Sequence, residues 1–313
     1  MKQFTEVAPP SVLASFGVAA PSLRRWADGF TLAKQSQNLS PRTITIYRDN
    51  LSRFVAYCEA RNITAIEAID PTLLREYMLS LAEHHNAGGQ HQHYRVIKTF
   101  FLWWGDEAAP EGWKNPIRKV PAPKLPDKIM PPVEMADVTA MLDTCGGDYF
   151  GVRDKAMMLT LIDTGLRANE LLSLDVADFD SVTGALTVKQ GKGGKGRVVF
   201  AGQRTRKVIR AWLKERGNSG GAMFPAKHGA RLNYRALRAV IERRARDAGL
   251  TDAPELHAFR RGFALAMLRD GCDIVTLSRL MGHSDLSLIR RYTKQTSDDL
   301  REAAERHSPA DRL

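Results

Sequence analysis

Three stretches of this 313-residue chain carry side chains whose types and spacing could do chemistry. The densest runs Leu256-His257-Ala258-Phe259-Arg260, then Leu280-Met281-Gly282-His283-Ser284-Asp285-Leu286-Ser287, then Arg290-Arg291-Tyr292-Thr293. On a helix His257 and Arg260 stand three apart and share a face, and Tyr292 lies nine residues beyond His283. The second stretch is Leu166-Arg167-Ala168-Asn169-Glu170-Leu171-Leu172, where an arginine just after Thr164-Gly165-Leu166 opens an apolar-patterned helix. Its guanidinium is placed to meet something anionic, with Glu170 one turn on to hold it. Taken alone, the pair reads equally as a helix-start ion pair, worth under about 1 kcal/mol if exposed. The third stretch is the turn Gly191-Lys192-Gly193-Gly194-Lys195-Gly196-Arg197. A nucleotide-binding P-loop needs G-x-x-x-x-G-K-[ST] between a strand and a helix. Here Arg197-Val198 and a strand follow Gly196, so that reading fails. What remains is a flexible turn presenting Lys192, Lys195 and Arg197, in isolation a solvated hairpin tip. A lone histidine or tyrosine is most often structural; two histidines, two arginines, a lysine and a tyrosine in this order are harder to dismiss.

These groups need elements to hold them. After residue 132 the pattern is helical at about 133–144, 151–163 and 167–174, then Leu186 and Val188 alternate with polar residues. The glycine-rich turn and Arg197-Val198-Val199-Phe200 complete a β-hairpin. Helical segments resume near 203–215 and 234–248, and again from His257 onward. Ahead of residue 113 the chain reads as a four-helix bundle. Ser40-Pro41 is an N-cap followed by proline at the first helical position, and Ile44, Tyr47, Leu51, Phe54, Val55 and Cys58 then recur at the spacing of one buried face. Asp70-Pro71 repeats the start signal, a further helix carries Tyr94, Ile97, Phe101 and Trp104, and one more lies near Leu23–Leu32. Between the halves, six of the fifteen prolines fall in NPIRKVPAPKLPDKIMPP, which cannot hold a helix. As polyproline II this stretch could span up to about 50 Å; a loop packed on one domain is the alternative. The expected fold is mainly α with a small β-hairpin (α+β). Residues 1–21 form a poorly ordered tail, 22–112 a helical DNA-binding domain, 113–132 a linker and 133–313 a mostly helical catalytic domain with a tail helix.

Composition narrows the class. Hydrophobic residues make up 43% and charged residues 26%, which excludes a disordered or fibrous chain. No run approaches the ~20 apolar residues of a membrane span, and no apolar run behind a basic start marks a signal peptide. Cys58, Cys145 and Cys272 are few and far apart, which fits a reducing, cytoplasmic compartment and no thiolate metal cluster. The net charge is +11, divided as +4 over 1–125 and +7 over 126–313, so the excess is not one solvated tail. Nucleic acid is the natural partner for such a balance.

The motif set resembles the tyrosine recombinases, also called the phage-integrase family, which include Xer-like chromosome-resolving enzymes. The family signature is an arginine after T-G-L, a lysine in a G-K-G hairpin turn, H-x-x-R, G-H and a tyrosine. It reads here as Arg167, Lys192, His257-Ala-Phe-Arg260, Gly282-His283 and Tyr292. The resemblance covers about 130–300 by motif and 22–108 by pattern. It implies a site-specific recombinase that cleaves and rejoins double-stranded DNA through a 3′-phosphotyrosyl intermediate, in integration, excision or resolution. Tyr292 is then the nucleophile, Arg167 and Arg260 clamp the phosphate, and Lys192 is the general acid with Lys195 as runner-up. His257 and His283 donate hydrogen bonds to the scissile phosphate, and Glu170 supports Arg167. Arg42, Lys195, Arg197 and Arg261 are assigned to DNA. Arg261 stands where many relatives have a second histidine, and Arg290-Arg291 adds charge beside the tyrosine.

The chemistry asks for these residue types. A phenolate conserves the phosphodiester energy in a covalent ester. Arginines bind the non-bridging oxygens bidentately, as lysine cannot. A lysine on a mobile turn can protonate the leaving 5′-hydroxyl. No metal or cofactor is called for. The resemblance further implies a homotetramer on two synapsed sites, a possible accessory or partner recombinase, and a nucleoid location without membrane. With 21 residues ahead of the first helix, no separate arm-site domain is expected. The alternatives are a type IB topoisomerase-like relaxing enzyme and a non-catalytic DNA-binding regulator. The cluster His84, His85, His91 and His93 has metal-like density, but its loop lacks a fixed geometry. It reads as polar residues at a helix start facing phosphate, and Phe100–Trp104 as core.

Overall fold

The structure is a computed structural model that describes residues 22–126, 130–189, 196–217, 220–226 and 229–282, with positions 301, 304–306, 308 and 310–312 of the tail. Two compact units divide the chain, residues 1–128 and 129–313.

Among the described residues the N-terminal unit has four α-helices: α1 (Leu23–Ser36), α2 (Pro41–Glu59), α3 (Pro71–Ser80) and α4 (Ala87–Glu107). Each begins where a short polar side chain replaces a missing backbone partner. Ser40 accepts from the Thr43 amide at 3.2 Å and Asp70 from Leu73 at 2.8 Å, each ahead of a proline in the first turn. Asn86 does the same for Gly89 at 2.9 Å. The expected loop at 86–90 is therefore the cap and first turn of α4, which the glycines had disguised. The apolar faces meet in a core of large rings. Phe30 lies edge-on to Tyr47, Phe100 and Trp103, and Phe54, Phe101 and Trp104 are almost wholly enclosed. Each such side chain contributes about 1.5–3 kcal/mol by burial.

The proline-rich stretch is not one free tether. Pro116–Lys119 forms a 3₁₀ turn with Pro116 and Ile117 buried. The Tyr94 hydroxyl donates to the Val120 carbonyl at 2.9 Å, and Arg75 to that of Lys119 at 3.0 Å. At its far end Val133 is buried, its amide bonded to the Ala258 carbonyl. The packed-loop alternative thus holds for its first half, because Ile117 and Val120 alternate with the prolines and supply apolar surface.

The C-terminal unit contains α5 (Met135–Asp143), α6 (Tyr149–Thr164), α7 (Ala168–Ser173), β1 (Ala185–Val188), β2 (Arg197–Phe200), α8 (Gln203–Arg216), α9 (Tyr234–Asp247), α10 (Leu256–Arg269) and α11 (Ile274–Met281). Helix α6 is its centre: Ala156, Met157, Met158 and Leu161 are fully enclosed, and α8 and α10 pack against it, as suits a helix apolar on most sides. The strands pair antiparallel, Ala185 with Phe200 and Val188 with Arg197. Leu186, Val188 and Val199 face the core. Of the tail helix expected over 297–306, positions 301 and 304–306 are described and helical.

Candidate active site

Arg167 is the N-cap of α7 and follows a sharp reversal at Gly165, which ends α6 in the left-handed region at φ 61°. Glycine is required twice over at that turn. The conformation disfavours a side chain, and a Cβ would stand 2.3 Å from the Phe263 ring. The Arg167 amide donates to Glu170 Oε2 and its Nη1 to Oε1, both at 2.8 Å. The guanidinium is fixed at its base yet about a quarter exposed, with a side-chain exposure of 26%.

Glu170 is buried and binds a second arginine. Arg197 Nη1 and Nη2 donate to its two oxygens at 2.9 and 2.8 Å. Burial alone would raise the Glu170 carboxyl, but the hydrogen bonds from Arg197 and Arg167 outweigh it and lower the pKa to about 2. Glu170 is thus an anion between two cations at any neutral pH.

Arg260 lies on α10 and is fully enclosed. It donates to the carbonyls of Gly165 and Met281, the ends of α6 and α11. Both are helix C-termini, where carbonyl dipoles favour a cation. His257, one turn earlier on the same face, is exposed. Partial desolvation and the charges of Arg261, Arg260 and Arg167 hold its imidazole below the ordinary histidine range, so it is neutral at pH 7. Arg167, His257 and Arg260, which are 90 or more positions apart across the first step, therefore share one electrostatic neighbourhood built from the ends of α6, α7 and α10.

Two other arginines are turned inward. Arg197 is only 11% exposed, with its Nε donating to the Leu280 carbonyl at 2.9 Å. Arg261 is buried, and its Nε donates to the Pro131 carbonyl at 2.8 Å. The sequence assigns both to DNA; here the strand register and the helix face give each of them partners within the protein. Arg42 is exposed in the first turn of α2. Lys192, Lys195, His283 and Tyr292 lie outside the described residues.

The histidine cluster disperses into structural work. His93 is buried, its Nδ1 is 3.1 Å from the Tyr77 hydroxyl, and its ring is 4.9 Å from that of His85. Burial, His85 and Arg53 lower its pKa to about 4. His91 Nδ1 meets the Pro123 carbonyl at 3.1 Å. Among the described residues no group of three or more His, Cys, Asp or Glu side chains is arranged to hold a metal, and no helix is long and apolar enough to cross a membrane.

One feature had no signal in the motifs. The fully buried Asp154 of α6 receives Arg153, Arg243 and Arg244, the last two at 2.6 and 2.8 Å from α9.

The model of the phage integrase family matches residues 133–298, and that of the phage integrase N-terminal SAM-like domain matches 26–111. The chain belongs to the phage integrase family. Among its relatives, the tyrosine recombinase XerC of Pelobacter propionicus is 29% identical over 281 residues, covering 87% of this chain and 91% of the relative. That of Chromohalobacter salexigens is 30% identical over 281 residues, covering 88% and 92%. The fold is shared with the XerH site-specific recombinase bound to palindromic difH substrate in a post-cleavage complex. There the TM-score is 0.69 at 21% identity, over 91% of this chain and 85% of that one. This member of the family is Xer-like, and its N-terminal bundle corresponds to the SAM-like domain.

Proposed function

We propose that this chain is a site-specific tyrosine recombinase that cleaves and rejoins double-stranded DNA through a 3′-phosphotyrosyl intermediate. The observation that carries the reading is the convergence of Arg167 and Arg260 beside a neutral His257, each held by a different helix end. Two guanidiniums from rigid elements suit the charge that gathers on the non-bridging oxygens of a pentacoordinate phosphorane. Arg167 has the exposed terminus for this, and Arg260 the fixed orientation. His257, neutral near pH 7, donates one hydrogen bond to the phosphate without adding charge.

Tyr292 is the nucleophile in this scheme, His283 its neighbour at the phosphate, and Lys192 the acid that protonates the leaving 5′-hydroxyl. The motif spacing supports these three assignments. Arg42 meets the DNA backbone from the N-terminal unit, and four protomers act on two synapsed sites, with or without an accessory recombinase. The setting is the chromosome-bearing compartment.

Covalent trapping on nicked suicide duplexes, without metal or ATP, tests the scheme. Wild type should give an SDS-stable, protease-sensitive adduct that Tyr292→Phe does not, and a supercoiled plasmid lacking the site should stay supercoiled. Relaxation of any plasmid would favour a topoisomerase instead. Tight, specific binding by a wild type that never forms an adduct would favour a regulator.

A further inference from the structure

We propose that Arg197 is a positioning residue of the recombination reaction, a strut that locks the strand after the lysine turn to the segment leading into Gly282-His283 and to the seat of Arg167. The inference rests on the functional reading above. Its basis is that one guanidinium satisfies three elements at once. Nη1 and Nη2 take both oxygens of Glu170, whose same carboxylate holds the amide and Nη1 of Arg167. Nε takes the Leu280 carbonyl in the last turn of α11. The aliphatic stem lies against Gly282, where an added Cβ would come within 2.9 Å of Arg197 Cδ and 3.1 Å of Nε. Gly282 caps α11 in the left-handed region at φ 62°, so close approach and backbone conformation both call for glycine.

The same facts argue against a phosphate contact. The side chain is only 11% exposed. Arg260 is also enclosed, but its Nη1 and Nη2 meet neutral carbonyls, which do not balance its charge. Arg197 instead has both Nη atoms on the ionised Glu170 carboxylate, which already balances its charge, and its Nε on Leu280. The planar fork is also what makes the arrangement work. A lysine ammonium would keep the charge but could not span two carboxylate oxygens and a carbonyl on the far side. In chain order the strut sits two residues after Lys195, bonds Leu280 three residues before His283, and packs against Gly282. It therefore ties the acid-bearing hairpin and the phosphate-facing arginine to the start of the nucleophile-bearing segment.

Arg197→Lys and Arg197→Ala, checked for folding by thermal melting, test this in two arms on the full-length protein. The first arm is amide hydrogen exchange without DNA. Both variants should exchange faster than wild type over 274–282, with α8 unchanged. The second arm is single-turnover adduct formation on suicide duplex bound to saturation, beside affinity measured over a range of salt. Both variants should cleave tenfold to a hundredfold more slowly, as small misplacements of reacting groups do, with affinity within about twofold and an unchanged salt slope. Weaker binding with a salt slope reduced by about one and a normal rate on bound DNA would make Arg197 a phosphate contact and overturn the proposal. Rescue of cleavage by lysine, or unchanged exchange over 274–282, would overturn it too. If wild type itself forms no adduct, the recombinase reading fails on its own, and the exchange arm still decides whether Arg197 clamps this segment.

Discussion

Among the described residues, the N-terminal unit buries the polar side chains Asn50 and His93 and no Asp, Glu, Lys or Arg, whereas the C-terminal unit buries the charged side chains Arg153, Asp154, Glu170, Asp178, Arg244, Arg260 and Arg261. The described part of the first unit is held by rings and aliphatic side chains and keeps its charged residues out of the core. The second places ionised groups in its interior, each with partners: Glu170 between Arg167 and Arg197, Asp154 among three arginines, Arg260 across two helix ends. Buried ion pairs recover their desolvation cost only with good geometry and full hydrogen bonding, so they are a poor way to gain stability. They are a good way to fix a cation's orientation. The difference teaches that charge is buried here where other charge must be positioned, and that a unit which only has to present a surface does without it.

Breaking the largest such cluster should show this most strongly. Asp154→Asn removes the carboxylate shared by Arg153, Arg243 and Arg244 and leaves the buried Arg244 with the more distant Asp247, at 3.9 Å, as its carboxylate partner among the described residues. It should destabilise the C-terminal unit by about 3–5 kcal/mol. Thermal or denaturant unfolding should show two transitions in the variant, with the N-terminal one unmoved. Four of the five tryptophans, Trp26, Trp103, Trp104 and Trp113, report that unit. A single shared transition shifting as a whole would mean the units are not energetically distinct.

Acid should separate the two units in the opposite order. His93 is held neutral, with a pKa of about 4 in the fold against about 6.5 unfolded. Between these values the unfolded chain binds the extra proton, so stability falls as pH falls through that window, by roughly 3 kcal/mol in all. Glu170 runs the other way in charge. Its pKa of about 2 lies below the unfolded value, so its contribution is complete above about 4.5 and is lost only as pH falls toward 2. Denaturant unfolding followed by tryptophan fluorescence should therefore show the midpoint of the N-terminal unit falling between about pH 6.5 and 4, before the Glu170 cluster titrates. His93→Phe, if it folds, should flatten that limb.

The smallest effect is a control that touches no charge network. Asp70→Ala removes one helix cap, the 2.8 Å bond to the Leu73 amide, and should cost about 1 kcal/mol in the N-terminal unit. DNA cleavage on a bound site should be unchanged.

Much of this organisation was legible in the sequence, because it depends on neighbours in the chain. Ser40-Pro41 and Asp70-Pro71 announced their helices, the alternation around Leu186 and Val188 announced the hairpin, and Gly165 followed by Arg167 announced a helix end and a new start. What stayed hidden depends on contacts across long separations. Arg197 reads in sequence as the tip of a solvated hairpin, and even in the fold it is the first residue of β2 beside the turn; its pairing with Val188 puts its side chain on the buried face of the strand, where it meets Glu170. Arg261 is assigned to DNA in the sequence, yet on a helix adjacent residues point about 100° apart, and its own face, turned from that of Arg260, meets Pro131. The glycines at 88 and 89 argued for a loop, and the Asn86 cap overruled them. Asp154 carried no motif at all: a carboxylate that collects arginines from α9 is visible only once α6 and α9 are packed together.

The central claim is that Arg167, positioned by Glu170, neutralises charge at a phosphate during strand cleavage. Single-turnover adduct formation by Arg167→Ala tests it, on a suicide duplex with the native scissile phosphate and on one in which a methyl group replaces a non-bridging oxygen. The native substrate should be cleaved about 10²–10³ times more slowly than by wild type, and the neutral methylphosphonate, which has no such charge to stabilise, should restore most of the lost rate. Equal loss on both substrates would contradict the claim and assign Arg167 a structural part instead.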